Sequence, residues 1–351
     1  MQLPLFQNAI ARFPSTRYQG SKAKLTDWIW EQIKDLAFKS ALDAFGGTGA
    51  VAYRLKQEGK QVFYNDVLRF NALIGKALIE NQSTRLDSAT VEDLLNQHEG
   101  ITYPDFIQRT FPDIYYTDAE NAWIDQTITN IYRLEHPEQF ALAVFALCQA
   151  CIIKRPYNLF HRKNLYVRLA EVERSFGNKT TWDKPFETWF RFFVDEANQA
   201  VFDNGQQNRS YNMDALDFPE SVDLIYIDPP YISRQGVAVD YRDFYHFLEG
   251  LTFYSDWEAQ VDFASKHRRL LRQQSPWTDK NQIADAFDRL FARFRESIIV
   301  VSYRSDGIPG ESALVHLLEK YKSHVRVVPY GHYKYVLSKN ARSGELLLIG
   351  T

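Results

Sequence analysis

SALDAFGGTGAVAYRLKQEGKQVFYND, residues 40–66, settles the fold class. SALDAFGG (40–47) reads as a short strand running into a loop, and AVAYRLKQEG (50–59) as a helix closed by Gly59. QVFYNDV (61–67) is a second strand. Strand, glycine-rich turn, helix and strand within about 30 residues form a βαβ unit. Gly47-Thr48-Gly49-Ala50-Val51-Ala52 fits G-x-G-x-x-A, and Asp66 stands at the end of the following strand. Glycines let the backbone approach a ligand, and a carboxylate in that place can accept both hydroxyls of a ribose. At this point the ribose of NAD and that of S-adenosylmethionine fit equally well.

DLIYIDPPYISRQG (223–236) decides between them. A buried strand ends in Asp228, two prolines stiffen the next positions, and Tyr231 supplies a ring. The sequence here resembles the amino-methyltransferases, which act on exocyclic amines of DNA bases and form the base pocket from D-P-P-Y. The chemistry explains the residues. The lone pair of adenine N6 is delocalised into the ring and is a poor nucleophile. Two acceptors on its hydrogens, the Asp228 carboxylate and the Pro229 carbonyl, would draw the nitrogen toward tetrahedral geometry. Pro229 and Pro230 hold those acceptors in place. Tyr231 can stack on the base once it has left the helix.

Further segments agree with this resemblance. RYQGSKAKL (17–25) is similar to the N-terminal cofactor segment of the DNA adenine methyltransferase family. Tyr18 matches its aromatic, and Lys22 matches the lysine that can pair with the cofactor's carboxylate. In NMDALDF (212–218), Asp214 fits the acidic position that reads the cofactor's adenine amine, with Asp217 as its near competitor. SIIVVSYRSDG and ARSGELLLIG resemble the later strands of that catalytic domain. The resemblance covers roughly residues 15–75 and 205–351. It implies a cofactor site of Tyr18, Lys22, Asp43, Phe45, Gly46, Gly47, Gly49, Asp66, Asp214 and Asp228, and a catalytic group of Asp228, Pro229, Pro230 and Tyr231. The glycine loop departs from some members by one additional glycine. The stretch after D-P-P-Y, with GVAVDYRDFYHFLEGL, is long enough to serve as a lid.

Between the two matched parts the pattern changes. SATVEDLLNQH, DAENAWIDQTITNIYRL, EQFALAVFALCQACII and PFETWFRFFVDEANQAVF all carry helical spacing. The expected architecture is therefore α/β: a Rossmann-like, S-adenosylmethionine-dependent methyltransferase sheet (1–84 and 205–351) split by a mostly helical insert (85–204) that recognises the target. The net charge of −3 means that DNA contact must come from a local patch. KRPYNLFHRKNLYVRLAEVER (154–174) is the best such patch. Lys154, Arg155, Arg162, Lys163, Arg168 and Arg174 are its bases, and Asn158 is a candidate base reader. KHRRLLR (266–272) reads as a charged helix face.

The two cysteines, Cys148 and Cys151, have C-x-x-C spacing but no second pair to complete a zinc site. They favour a reducing compartment and lie in what reads as one buried helix. MQLPLFQNAIARFP lacks the apolar core of a signal peptide, so the expected location is cytoplasmic, with no membrane partner.

These observations lead to a site-specific enzyme that methylates the N6 amine of a flipped-out adenine in duplex DNA. S-adenosylmethionine is the donor, no metal takes part, and the setting is restriction-modification or related phage defence. A cognate restriction endonuclease or other defence proteins are the expected partners. Three rivals stand beside it: a cytosine N4 or RNA adenine enzyme, a silent cofactor-binding recognition subunit, and an NAD oxidoreductase. Asp228 favours adenine over cytosine N4, where Ser more often stands. Intact Asp66, Asp228 and Tyr231 argue against a silent subunit.

Overall fold

The computed structural model describes residues 11–172, 179–330 and 344–351. Arg174, residues 341–343 of the last matched segment and residues 1–10 lie outside them. Seven strands form one sheet: β1 (Ser40–Asp43), β2 (Gln61–Asn65), β3 (Arg209–Tyr211), β4 (Leu224–Ile227), β5 (Ile298–Arg304), β6 (Val325–Tyr330) and β7 (Glu345–Gly350). Their order is β3-β2-β1-β4-β5-β7-β6. All neighbours are parallel except β7, which runs antiparallel to both β5 and β6. This is the Rossmann-like mixed α/β sheet expected from the sequence. β4 and β7 are buried along their whole length, as strands covered on both faces must be.

The sheet reverses its winding between β1 and β4. From β1 the chain moves outward through β2 to β3, and from β4 it moves the other way. Asp43 pairs in register with Tyr64 on one side and Tyr226 on the other. Open α/β sheets bind ligands at such a switch point, beyond the carboxyl ends of the strands. Asp43 ends β1 there, and Asp228 follows β4.

Fourteen α-helices are described. α1 (Thr26–Ile33) and α2 (Ala50–Gln57) flank β1. α3 (Arg69–Gly75) runs on into a π-helical turn, Lys76–Glu80. Six more helices and α10 follow before β3: α4 (Ser88–Leu95), α5 (Phe106–Thr110), α6 (Asp118–Ile131), α7 (Pro137–Ile153), α8 (Leu165–Leu169), α9 (Lys179–Asp183) and α10 (Phe186–Ala200). α7 is buried without a break from Ala141 to Ile153, which includes both cysteines. A helix apolar on all sides has to be enclosed. α10 presents a single apolar stripe, Phe186, Phe190, Phe193, Val194, Ala197 and Ala200. These helices share one continuous core with a face of the sheet, Tyr64 and Val300 included. The opposite face carries a second core with α13 (Ile283–Arg293) and α14 (Glu311–Glu319).

The segment after D-P-P-Y contains α11 (Tyr241–Phe244) and α12 (His246–Leu251). Residues 266–272 are not the charged helix face expected from their composition. They form turns and one bridge between Leu270 and Val261, because Arg269 turns back to pair with Asp262 at 3.0 Å. Among the described residues no helix is long and apolar enough to cross a membrane.

Candidate active site

Five separate segments converge on one cavity of about 200 Å³ at the switch point. They are the 18–22 segment, the loop after β1, the end of β2 with Asp66, and the segments around Asp214 and Asp228. The loop is tight by necessity. A Cβ on Gly46 would lie 2.0 Å from the Tyr64 ring, and Gly49 begins α2 with φ of 77°, a left-handed conformation suited to glycine. The Tyr64 hydroxyl donates to Gly47 O at 2.7 Å.

Asp66 organises this loop. Its Oδ2 accepts from Gly47 N at 2.9 Å and Asn71 Nδ2 at 3.1 Å, and its Oδ1 from Leu68 N at 2.8 Å. Burial pushes its carboxyl up to about 6 although these three donors oppose the shift. Asp43 is more deeply enclosed. Burial first, then the negative Asp228 nearby, push it up to about 8 against the bond from Ala52 N. Both effects favour its protonated form. Its Oδ1 has no hydrogen-bond partner among the described residues.

Asp214 lines the cavity, whereas Asp217 is exposed. The Asp214 Oδ1 accepts from Trp277 Nε1 at 3.2 Å and from Leu216 N at 3.0 Å. Trp277 in turn meets Phe45 edge-on at 4.8 Å. Tyr18 stacks on Tyr245 at 4.4 Å and on Tyr241 at 5.5 Å, nearly parallel to both. This aromatic ladder ties the N-terminal segment to the stretch that follows D-P-P-Y.

The other end of the cavity is ionic. Lys22 Nζ lies 3.0 Å from Asp228 Oδ1 and 3.2 Å from Glu345 Oε1, and 2.5 Å from the Tyr231 hydroxyl. Burial works against its charge, but Asp228 and Glu345 outweigh burial and hold its pKa above the usual lysine value. The cation expected to meet a cofactor's carboxylate is thus directed at two carboxylates of the protein. The Tyr231 hydroxyl is 2.7 Å from Asp228 Oδ1 and 2.9 Å from Glu345 Oε1, and its ring meets Tyr303 edge-on. Burial raises the Asp228 pKa most and Lys22 lowers it; with Glu345 adding to the rise, the group settles at about 6. Pro230 lines the cavity, and Pro229 is buried behind it.

The expected DNA patch divides. Lys154 and Arg155 are only 2% and 1% exposed, so they cannot neutralise phosphates as the composition suggested. Lys154 donates to the carbonyls of Trp182 and Lys184 and pairs with Glu120 at 2.9 Å. The Arg155 guanidinium lies over the Tyr115 ring at 4.2 Å and donates to Leu159 O and Arg162 O. Arg168 is also buried, pairing with Glu120 at 2.6 Å. Lys154 and Arg168 are drawn in by one half-buried carboxylate and a set of carbonyls, which a charge count cannot foresee. Arg162 and Lys163 are exposed, and Asn158 is half-buried with φ of 58°.

Glu345, Trp277, Tyr241 and Tyr245 escaped the sequence reading. Only Glu345 carried a hint: a carboxylate at the head of the apolar strand ELLLIG.

A sheet of this order, with a glycine loop after β1 and D-P-P-Y after β4, defines a Rossmann-like methyltransferase. The chain belongs to the D12 class of N6 adenine-specific DNA methyltransferases, whose family profile matches residues 18–306. It is therefore a DNA methyltransferase enzyme of the adenine-specific kind. It is 27% identical over 346 residues to type II methyltransferase M2.HphI of Haemophilus parahaemolyticus, covering 96% of this chain and 97% of that one. Identity to type II methyltransferase M.NlaIII of Neisseria lactamica is 23%, over 87% and 88% of the two chains. Type II methyltransferase M.FokI of Planomicrobium okeanokoites matches at 27% over 91% of this chain, which spans 50% of its length.

Proposed function

We propose that the protein transfers a methyl group from S-adenosylmethionine to the N6 amine of an adenine flipped out of duplex DNA, as the modifying partner of a restriction-modification or related defence system. The observation that carries this reading is a single cavity joining the glycine loop and Asp66 to Asp228. The residues suit the cofactor. Glycines at 46, 47 and 49 open the loop, the Asp43 Oδ1 has no hydrogen-bond partner among the described residues, and Asp214 offers an acceptor beside the Phe45 and Trp277 rings. Tyr18, Asp43, Phe45, Gly46, Gly47, Gly49, Asp66 and Asp214 would hold it, with Lys22 contributing charge at the far end. When bound, S-adenosylmethionine supplies an electrophilic methyl group on a sulfonium.

The chain's own residues prepare the amine. Asp228 accepts one N6 hydrogen and the Pro229 carbonyl the other, which returns the lone pair to nitrogen. The two prolines fix both acceptors before the base arrives, so no reorganisation is required during transfer. The Tyr231 ring takes the face of the base. The helical region at 85–204 recognises the target, with Arg162 and Lys163 on phosphates and Asn158 near the bases. Methyl transfer from labelled S-adenosylmethionine to DNA, followed by digestion and chromatography, tests this. Asp228→Ala is expected to lose about 10²-fold or more in rate. N4-methylcytosine as the product would end the adenine assignment, and a fully active Asp228→Ala would end the mechanism.

A further inference from the structure

Glu345 opens β7 and is fully buried. A carboxylate in such a place is costly unless donors surround it. Three converge on its Oε1: the Ser302 hydroxyl at 2.5 Å, the Tyr231 hydroxyl at 2.9 Å and the Lys22 ammonium at 3.2 Å. Ser302 belongs to β5, the antiparallel neighbour of β7, so the sheet itself holds Glu345 in position. Two of the three donors are shared. The Tyr231 hydroxyl is also 2.7 Å from Asp228 Oδ1, and Lys22 is 3.0 Å from the same oxygen.

A tyrosine hydroxyl has one hydrogen to donate. Here two carboxylates compete for it. With the hydrogen on Asp228, an acceptor position of that carboxylate is occupied and its negative charge is partly satisfied. With the hydrogen on Glu345, that position is open to an incoming N–H. Lys22, placed between the same two oxygens, divides its charge in the same way.

We infer that Glu345 is a positioning residue for methyl transfer: it draws the Tyr231 hydrogen and part of the Lys22 charge away from Asp228, so that Asp228 remains a strong acceptor for the amine of the target base. This rests on the role given to Asp228 above. Glu345 does not touch the base. Its effect passes through Tyr231 and Lys22.

The experiment compares single-turnover methyl transfer to DNA for the parent, Glu345→Gln, Tyr231→Phe and the double variant, with S-adenosylmethionine affinity measured by calorimetry. Glu345→Gln is expected to slow transfer about 10-fold, the scale of one hydrogen bond to a charged group, with the dissociation constant of S-adenosylmethionine within about twofold of the parent. In that variant the Tyr231 hydrogen falls to Asp228. Adding Tyr231→Phe removes it, so the double variant should recover about threefold or more over Glu345→Gln. A merely structural role gives two losses that multiply. If Glu345→Gln does not fold, Glu345→Asp, which keeps the charge but withdraws it by one carbon, carries the same expectations. A rate within about twofold of the parent, or no recovery in the double variant, overturns the inference. Asp228→Ala run alongside separates the two readings: its inactivity beside an unaffected Glu345→Gln removes the role of Glu345 alone, whereas an active Asp228→Ala removes the mechanism on which it rests.

Discussion

Lys22, near the start of the chain, and Asp228, at the end of β4, form a buried ion pair at 3.0 Å on the wall of the cavity. Glu345 shares the same ammonium, at 3.2 Å. Lys22→Met should therefore destabilise the fold by about 3–5 kcal/mol, the scale of leaving buried charge without its partner. Urea unfolding at neutral pH measures it, and a change below about 1 kcal/mol would mean that the pair is open to water.

The pH dependence of transfer has a fixed sign. Asp228 must be ionised to accept an amine hydrogen, and burial holds it at about 6, above the ordinary carboxylate range. The single-turnover rate should be level above that pH and fall as pH drops through it, by about tenfold per unit further down. In the Lys22→Met variant the opposing cation is gone, so the acid limb should move to higher pH. A parent rate that is constant down to pH of about 4 would contradict the assignment.

Asp43→Asn tests the proton held at the end of β1. Burial, with Asp228 nearby, pushes the folded carboxyl up to about 8, whereas an unfolded aspartate titrates at about 4. Between those values the folded protein binds the proton and the unfolded chain does not, so the parent loses stability as pH rises through that window, by up to about 1.4 kcal/mol per unit. Asparagine mimics the protonated acid and has no such dependence. The stability of the variant relative to the parent should grow from about pH 4 to about 8 and then level off. Urea midpoints across that range give the curve, and a constant difference would show Asp43 to be ionised in the fold.

Asp66→Ala removes three hydrogen bonds that shape the glycine loop. S-adenosylmethionine binding should weaken by about 1–3 kcal/mol, through the lost acceptor and the loosened loop together. Calorimetric titration of the folded variant reads this, and an unchanged dissociation constant would place the ligand elsewhere.

The basic stretch around residue 160 should yield two distinct phenotypes. Replacing both Arg162 and Lys163 by alanine should weaken DNA binding and reduce the slope of log binding constant against log salt by about 2, with the fold intact. Lys154→Ala should instead cost stability, about 3 kcal/mol or more, because Glu120 and the Trp182 and Lys184 carbonyls lose a partner, and Arg155→Ala should cost stability through the Leu159 and Arg162 carbonyls it leaves behind. Equal salt slopes for the parent and the Arg162/Lys163 variant would show that these side chains do not meet phosphate.

The sheet and its glycine loop were legible because β1, α2 and β2 are contiguous and each carries its own period. D-P-P-Y was legible because a carboxylate and two prolines interrupt an apolar strand. β3 was not, since Arg209, Ser210 and Tyr211 form a short edge strand with no buried face to impose a pattern. The fate of Lys154 and Arg155 was hidden for another reason. The burial of Lys154 depends on Glu120 and the Trp182 carbonyl and that of Arg155 on the Tyr115 ring, all distant in sequence, and a local charge count contains no such partner. Glu345 is the same case on the catalytic side, its role depending on where β7 inserts between β5 and β6.

The place of β3 in the sheet bears on how the enzyme is made. Val62 N, in β2, donates to the Asn208 side chain next to β3 across 146 positions of sequence, with α3 to α10 in between. Closing so long a loop costs little more than closing a moderate one, since each doubling adds about 0.6 kcal/mol, but long-range parallel pairing is slow. Ribosomal synthesis delivers the glycine loop and Asp66 together, well before the helices that separate them from Asp214 and Asp228 have left the exit tunnel. One half of the cavity is thus born local, and the other must wait for the far edge of the sheet to be called home.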